Sequence, residues 1–297
     1  MVEKFEPVFM PIKDIAPTQS ANTADLKTDE RQKLQRKLLK SFKNNDQIAI
    51  KRIKGEYIKR FPEQIESVEV LFALPEFLQK SKQMAQEKQE GESDLPYEQL
   101  KNAFRDLTEY QFLFTHFLIS AGDDSEYLKN FWDIAQSIAS SLGCQQELVS
   151  LQRGQISQVA VQKIMQKLNM NPRLSHPSED AFAAIDLWTS DNKAIQIAGW
   201  KEEEPMFIES ETFGFPATQT EIAQGKRFQV FSYEKIKQKA LRFFAKTKRY
   251  AAREHLDIRS FMMVVPYSRI NPINGEPSDE LVEFFRVELN KTIARSK

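Results

Sequence analysis

The stretch that most constrains the fold is residues 184–201, AIDLWTSDNKAIQIAGWK. Ile185 and Leu187 alternate with Asp186 and Trp188, and Ile195 and Ile197 alternate with Gln196 and Ala198. A period of two predicts strands with one buried face. The TSDNK segment between the runs is turn chemistry, so the stretch reads as a hairpin.

The register follows. If Trp188 and Ala194 pair across the turn, Asp186 and Gln196 are the next pair on that face. Directly opposed residues hold their Cβ atoms about 4.5–5.5 Å apart. A carboxylate and an amide oxygen then project side by side, while Ile185, Leu187, Ile195 and Ile197 turn to a core. An oxygen pair fixed on rigid strands suits a hard divalent cation such as magnesium. The plainer reading is that Asp186 is a solvated strand residue, as in many hairpins that do no chemistry.

These residues resemble the PD-(D/E)xK nuclease superfamily. Its pattern is an Asp, about ten residues, then Glu or Gln, one residue and Lys, on the second and third strands of the core. Ile185-Asp186 and Gln196-Ile197-Ala198 fit it, except that Ala198 stands at the lysine position. Three explanations stand at this point. The natural chain lacks the lysine, or Lys201 replaces it by way of a bulge at Gly199, or an alanine was introduced to abolish activity. The resemblance implies Asp186 as the main metal ligand, Gln196 as a neutral one and Glu179 as the best extra carboxylate, around Mg2+ or Mn2+. In some members a Glu on the helix before the first strand joins the metal, and Gln158 falls at that place. Asp180 also lies near the mouth of the hairpin. His176, before a proline, reads as structural.

The implied activity is phosphodiester hydrolysis of DNA or RNA, weak or absent as written because of Ala198. Defence and restriction roles are common in that superfamily. The competing reading is a binding module that has lost catalysis and still grips nucleic acid. A third discards the family and leaves a helical interaction protein.

The 297 residues suffice for one large or two ordinary domains. Lys plus Arg equals Asp plus Glu at 42 each, so net charge argues neither for nor against nucleic acid and only local clustering can. The single cysteine, Cys144, rules out an internal disulfide and fits a reducing, cytoplasmic setting. It reads as a helix-packing residue. No Cys/His spacing suggests zinc, no apolar run approaches a membrane span, and Met1-Val2-Glu3-Lys4 does not open a signal peptide.

Residues 1–27, with three prolines, read as a flexible arm, and residues 28–153 as a helical bundle. A third helix is expected to end near Pro75, with a polar loop over 81–94. Pro96 opens a long aromatic-rich helix that stops near Gly122. Asp123, Asp124 and Ser125 supply the cap of the next, which Gly143 ends. The bundle leaves room for a homo-oligomer or a protein partner. Its first two helices are basic, with Lys33, Arg36, Lys37, Lys40 and Lys43, then Lys51, Arg52, Lys54, Lys59 and Arg60. That is either a solvated face or a surface for phosphates.

From Gly154 to the end, residues 154–297, the expected order is helix, three strands, helix, strand, helix. The superfamily core is helix, three strands, helix, strand, around a mixed sheet, so an α+β or α/β architecture is expected. Residues 205–231, rich in Phe with Gly214 and Pro216, read as a loop insertion. Ser232 is the expected cap of a helix to about His255. On it Lys235, Lys239, Arg242, Lys246, Arg249 and Arg253 recur every three or four residues. Such a stripe repels itself unless acids from another element or nucleic-acid phosphates face it.

Overall fold

The computed structural model describes residues 46–60, 65–90, 97–190, 192–209 and 227–295, with positions 30, 33, 34, 36–38, 40, 41 and 44 before them. The expected arm, residues 91–94 of the expected 81–94 loop, Pro96, Lys43 and the phenylalanines at 213 and 215 lie outside the described residues, and residues 81–90 are helical rather than a loop. The chain divides into two compact units, Met1–Tyr57 and Ile58–Lys297.

In the first unit, helical positions from Glu30 to Ser41 bury Leu34 and Leu38. Helix α1 (Gln47–Arg60) follows, with its last three residues counted in the second unit; it is capped by Asp46, whose side chain accepts from the Ala49 N–H at 2.9 Å. It buries Ile50, Ile53 and Tyr57.

The second unit opens with α2 (Ile65–Glu90), α3 (Tyr97–Ala121), α4 (Ser125–Leu142) and α5 (Gln145–Lys167). Helix α2 does not end at Pro75 but runs through it. An internal proline costs a helix about 3 kcal/mol. Burial of Val70, Leu71, Leu74, Phe77 and Leu78 on both sides of it offsets that cost. Phe77 stacks on Tyr110 at 4.4 Å between centroids, and Phe114 and Phe117 pack on Phe131. Asp124 caps α4 as expected, accepting from the Tyr127 N–H at 2.9 Å. Helix α5 begins nine residues before Gly154, so the expected border at 153/154 falls inside one helix. Cys144 is buried at its start, and burial pushes the thiol up, which leaves it unreactive.

Then come β1 (Arg173–Leu174), α6 (Pro177–Ala183), β2 (Leu187–Trp188), β3 (Lys193–Trp200), β4 (Met206–Glu209), α7 (Arg227–Glu254), β5 (Arg259–Pro266) and α8 (Asp279–Arg295). The class is α+β. The sheet order is β1-β2-β3-β5-β4, with β3 and β5 parallel and every other pair antiparallel. Trp188 faces Ala194, the register read from the sequence. Three elements correct that reading. Ser178, Glu179 and Asp180 belong to a short helix. Residues 206–209 form an edge strand, with Phe207 stacked on Phe261. Helix α7 starts at Arg227, so Ser232 lies inside it rather than at its cap.

The largest correction concerns the hairpin's second face. It was expected to look outward, yet β3 is buried from Lys193 to Ala198. Trp188, Ala194, Ala198, Met262 and Val264 form one cluster with Ile236, Ala240 and Phe243 of α7. Helix α5 lies against the same two strands, β3 and β5. Parallel strands take cover on both faces, and alanines at 194 and 198 let the helix approach closely.

After β5 the chain makes a tight loop in which Gly275 has φ +69°. A Cβ there would stand 3.0 Å from the Ile156 carbonyl oxygen and from Val159 on α5. Gly275→Ala is therefore expected to cost about 2–4 kcal/mol, read as a lower urea midpoint at unchanged m.

Candidate functional site

Asp186 lies one residue before β2, 8% exposed. Its backbone extends the ladder beyond the strand, its N–H donating to the Ile195 carbonyl at 2.9 Å. One carboxylate oxygen accepts from the Gln196 side-chain amide and from the Ile197 N–H, the latter at 2.6 Å. The other accepts from Gln158 Nε2 of α5 at 3.3 Å. Gln158 Oε1 in turn accepts from the Thr115 hydroxyl of α3 at 2.7 Å. The structure thus brings together Asp186, Gln196 and Gln158.

It does not bring in Glu179. That carboxylate accepts from the His176 N–H at 2.7 Å, and His176 Nδ1 accepts from the Ser178 N–H at 3.3 Å. The pair is a reciprocal cap for α6, with Pro177 in its first turn. Glu179 is therefore committed to the helix end, and the acid that turns inward is its neighbour Asp180. Asp180 lines a cavity of about 10 Å³, room for one water-sized occupant, together with Asp186, Gln158, Thr115 and Ser175. Ala184, at φ +57°, turns the chain sharply from α6 toward Asp186.

Nor does Lys201 enter the site. It is exposed, and β3 keeps its pairing with β5 through Gly199 and Trp200 without a bulge. The lysine whose charge the acids feel is Lys239 of α7, whose Nζ donates to the Ile197 carbonyl at 2.8 Å. Ala198 is only 3% exposed, inside the cluster beneath α7.

Burial raises the pKa of Asp186, opposed chiefly by the Lys239 charge and by the Ile197, Gln196 and Gln158 donors. Burial and then the charge of Asp186 push Asp180 up to about 8, eased by Lys239 and Lys246. The folded protein keeps a proton on Asp180 that the unfolded chain releases above its ordinary value of 3.8. Stability is therefore full below that value and falls as pH rises toward about 8. Asp180→Asn is expected to equal the parent at pH 4 and to exceed it at pH 9 by on the order of 2 kcal/mol. Urea titrations in EDTA at the two pH values measure this.

A separate cleft of about 740 Å³ is lined by Ala184, Gln196, Glu234, Lys235, Lys239, Arg242 and Lys246, among others. The expected six-cation stripe is thus divided. Four members line the cleft, and of these Lys239, though exposed, bonds the Ile197 carbonyl. Arg249 bonds the Ala245 carbonyl, and Arg253 pairs with Glu254 over the Tyr250 ring.

For one hard divalent cation the cavity offers the carboxylates of Asp180 and Asp186 and, after a half-turn about its last bond, the amide oxygen of Gln158, whereas Gln196 lines the cleft. Among the described residues, no group of three or more His, Cys, Asp or Glu could hold a metal. Among the described residues no helix is long and apolar enough to cross a membrane. No protein-family model, curated protein or solved structure matches the chain.

Proposed function

We propose that the chain is a Mg2+- or Mn2+-dependent nuclease of PD-(D/E)xK type. In this reading Asp180 joins Asp186, and Lys239 takes the part of the lysine absent at position 198. The observation that carries it is the Lys239 ammonium, tethered to the Ile197 carbonyl in a cleft with three more cations, its charge felt by both Asp180 and Asp186. When bound, the metal lowers the pKa of a water and offsets charge on the phosphate.

The chain's own residues do the rest. Asp186 and Asp180 hold the cation site, and Gln158 and Gln196 fix the Asp186 carboxylate. One of the three Lys239 N–H donors is used by the Ile197 carbonyl, which leaves two for a phosphate oxygen. Arg242 and Lys246 line the path of the neighbouring phosphates. The element order from α5 supports the reading: helix, three strands, helix, strand, with α6 and β4 as additions.

The test is incubation with labelled single- and double-stranded DNA and RNA. Cleavage is expected with Mg2+ or Mn2+, none in EDTA, and about a 100-fold loss in Lys239→Met at unchanged melting temperature. If the parent leaves all four substrates intact with either metal, the nuclease reading fails.

One observation favours the second reading, a binding module without catalysis. The Asp186 carboxylate already has three N–H donors, which suits a structural role. Binding would then weaken steeply with salt and ignore the metal.

A further inference from the structure

The cleft draws its cations from α7, and the chain carries a second basic stretch at residues 30–60. That segment holds eleven Lys and Arg against three Asp and Glu. The whole chain has 42 of each, so the remainder holds 31 against 39, and the two parts carry net charges of +8 and −8. Such asymmetry marks a polyanion-binding segment.

The structure orients these charges. Arg36, Lys37 and Lys40 are exposed while Leu34 and Leu38 are buried. On α1, Lys51, Arg52 and Lys59 are exposed while Ile50, Ile53 and Tyr57 are buried. Gly55 sits in the middle of that outer face, exposed, with nothing within 4 Å of where its Cβ would stand. A glycine inside an exposed helix weakens it relative to alanine, and here no neighbour requires one. What it supplies is room for another backbone to come close.

We infer that residues 30–60 form a second nucleic-acid surface, a sequence-independent grip on phosphates by Arg36, Lys37, Lys40, Lys51, Arg52 and Lys59, with Gly55 as the point of closest approach on α1. Lysine and arginine contacts to phosphates fix a strand without reading its bases. A membrane is the poorer occupant, because the apolar residues of α1 other than Ile48 face inward and leave no apolar face to insert. The inference concerns binding alone and holds whether or not the cleft cuts.

The test is fluorescence anisotropy on the full chain in EDTA, with labelled duplex and single-stranded oligonucleotides of mixed sequence over a range of salt. The triple variant Lys51→Ala/Arg52→Ala/Lys59→Ala is expected to lose at least tenfold in affinity at low salt. Its log–log salt slope should flatten by about two to three at an unchanged melting temperature. Gly55→Gln is expected to melt higher and bind more weakly, a combination that a merely structural glycine does not give. Arg242→Ala/Lys246→Ala in the same assay reports on the cleft, so failure of one surface is distinguished from failure of the other. The inference is overturned if the triple variant keeps the parent's affinity and slope, or if Gly55→Gln binds as tightly as the parent. Binding to anionic vesicles with none to nucleic acid overturns it as well.

Discussion

Asp186→Asn is expected to abolish metal-dependent cleavage, with a loss of at least 1,000-fold, roughly 4 kcal/mol of transition-state stabilisation, in a chain that still folds. The new amide has the shape of the old carboxylate. Its oxygen still accepts from the Ile197 N–H and from Gln196, and Gln158 meets its NH2 by turning its amide. Folding should become somewhat easier, because the buried charge is gone. A melting temperature at or above the parent's, with turnover near background, is the result that fits. If the variant still cuts at the parent's rate, Asp186 is a structural acid, and the binding-module reading stands in its place.

Ala198→Lys is the second large effect, and its direction reverses what the motif suggests. The resemblance implies that a lysine at that position restores activity. The side chain, however, points into the cluster made by Ile236, Ala240, Phe243 and Val264. A lysine there must bury an ammonium or lever α7 from the sheet. Either costs about 3–5 kcal/mol, a fall in melting temperature of roughly 10 °C or more for a unit of this size. Calorimetry and a cleavage assay on the same sample decide the matter. A stable variant that cuts faster than the parent removes the part assigned to Lys239. For the same reason, an alanine placed there to abolish activity is not needed to explain the sequence: the position suits alanine.

Much of the hairpin was legible in the chain, because strand alternation and turn chemistry are local. They gave the Trp188 to Ala194 pairing and the meeting of Asp186 with Gln196. What lay beyond local pattern was missed. Helix α6 is seven residues long, too short to show a helical period, though Pro177 followed by Glu179 carried the signal of a capped start. That omission put Glu179 in the site and left Asp180 in second place. The bond from Lys239 to the Ile197 carbonyl depends on how α7 packs on the sheet, and on the sequence it was one of six equal cations. Pro75 stopped a helix on paper that burial on both sides carries through in the fold.

Helix α5 has a consequence for how the molecule can be divided. It touches α2, α3 and α4 as well as the sheet, and it delivers Gln158 to Asp186 with Thr115 of α3 behind it. A fragment beginning at Gly154 discards its first nine residues and the hydroxyl that orients the glutamine. The acid centre and the helical layer before it are therefore one heritable piece, which recombination at that point would break rather than shuffle.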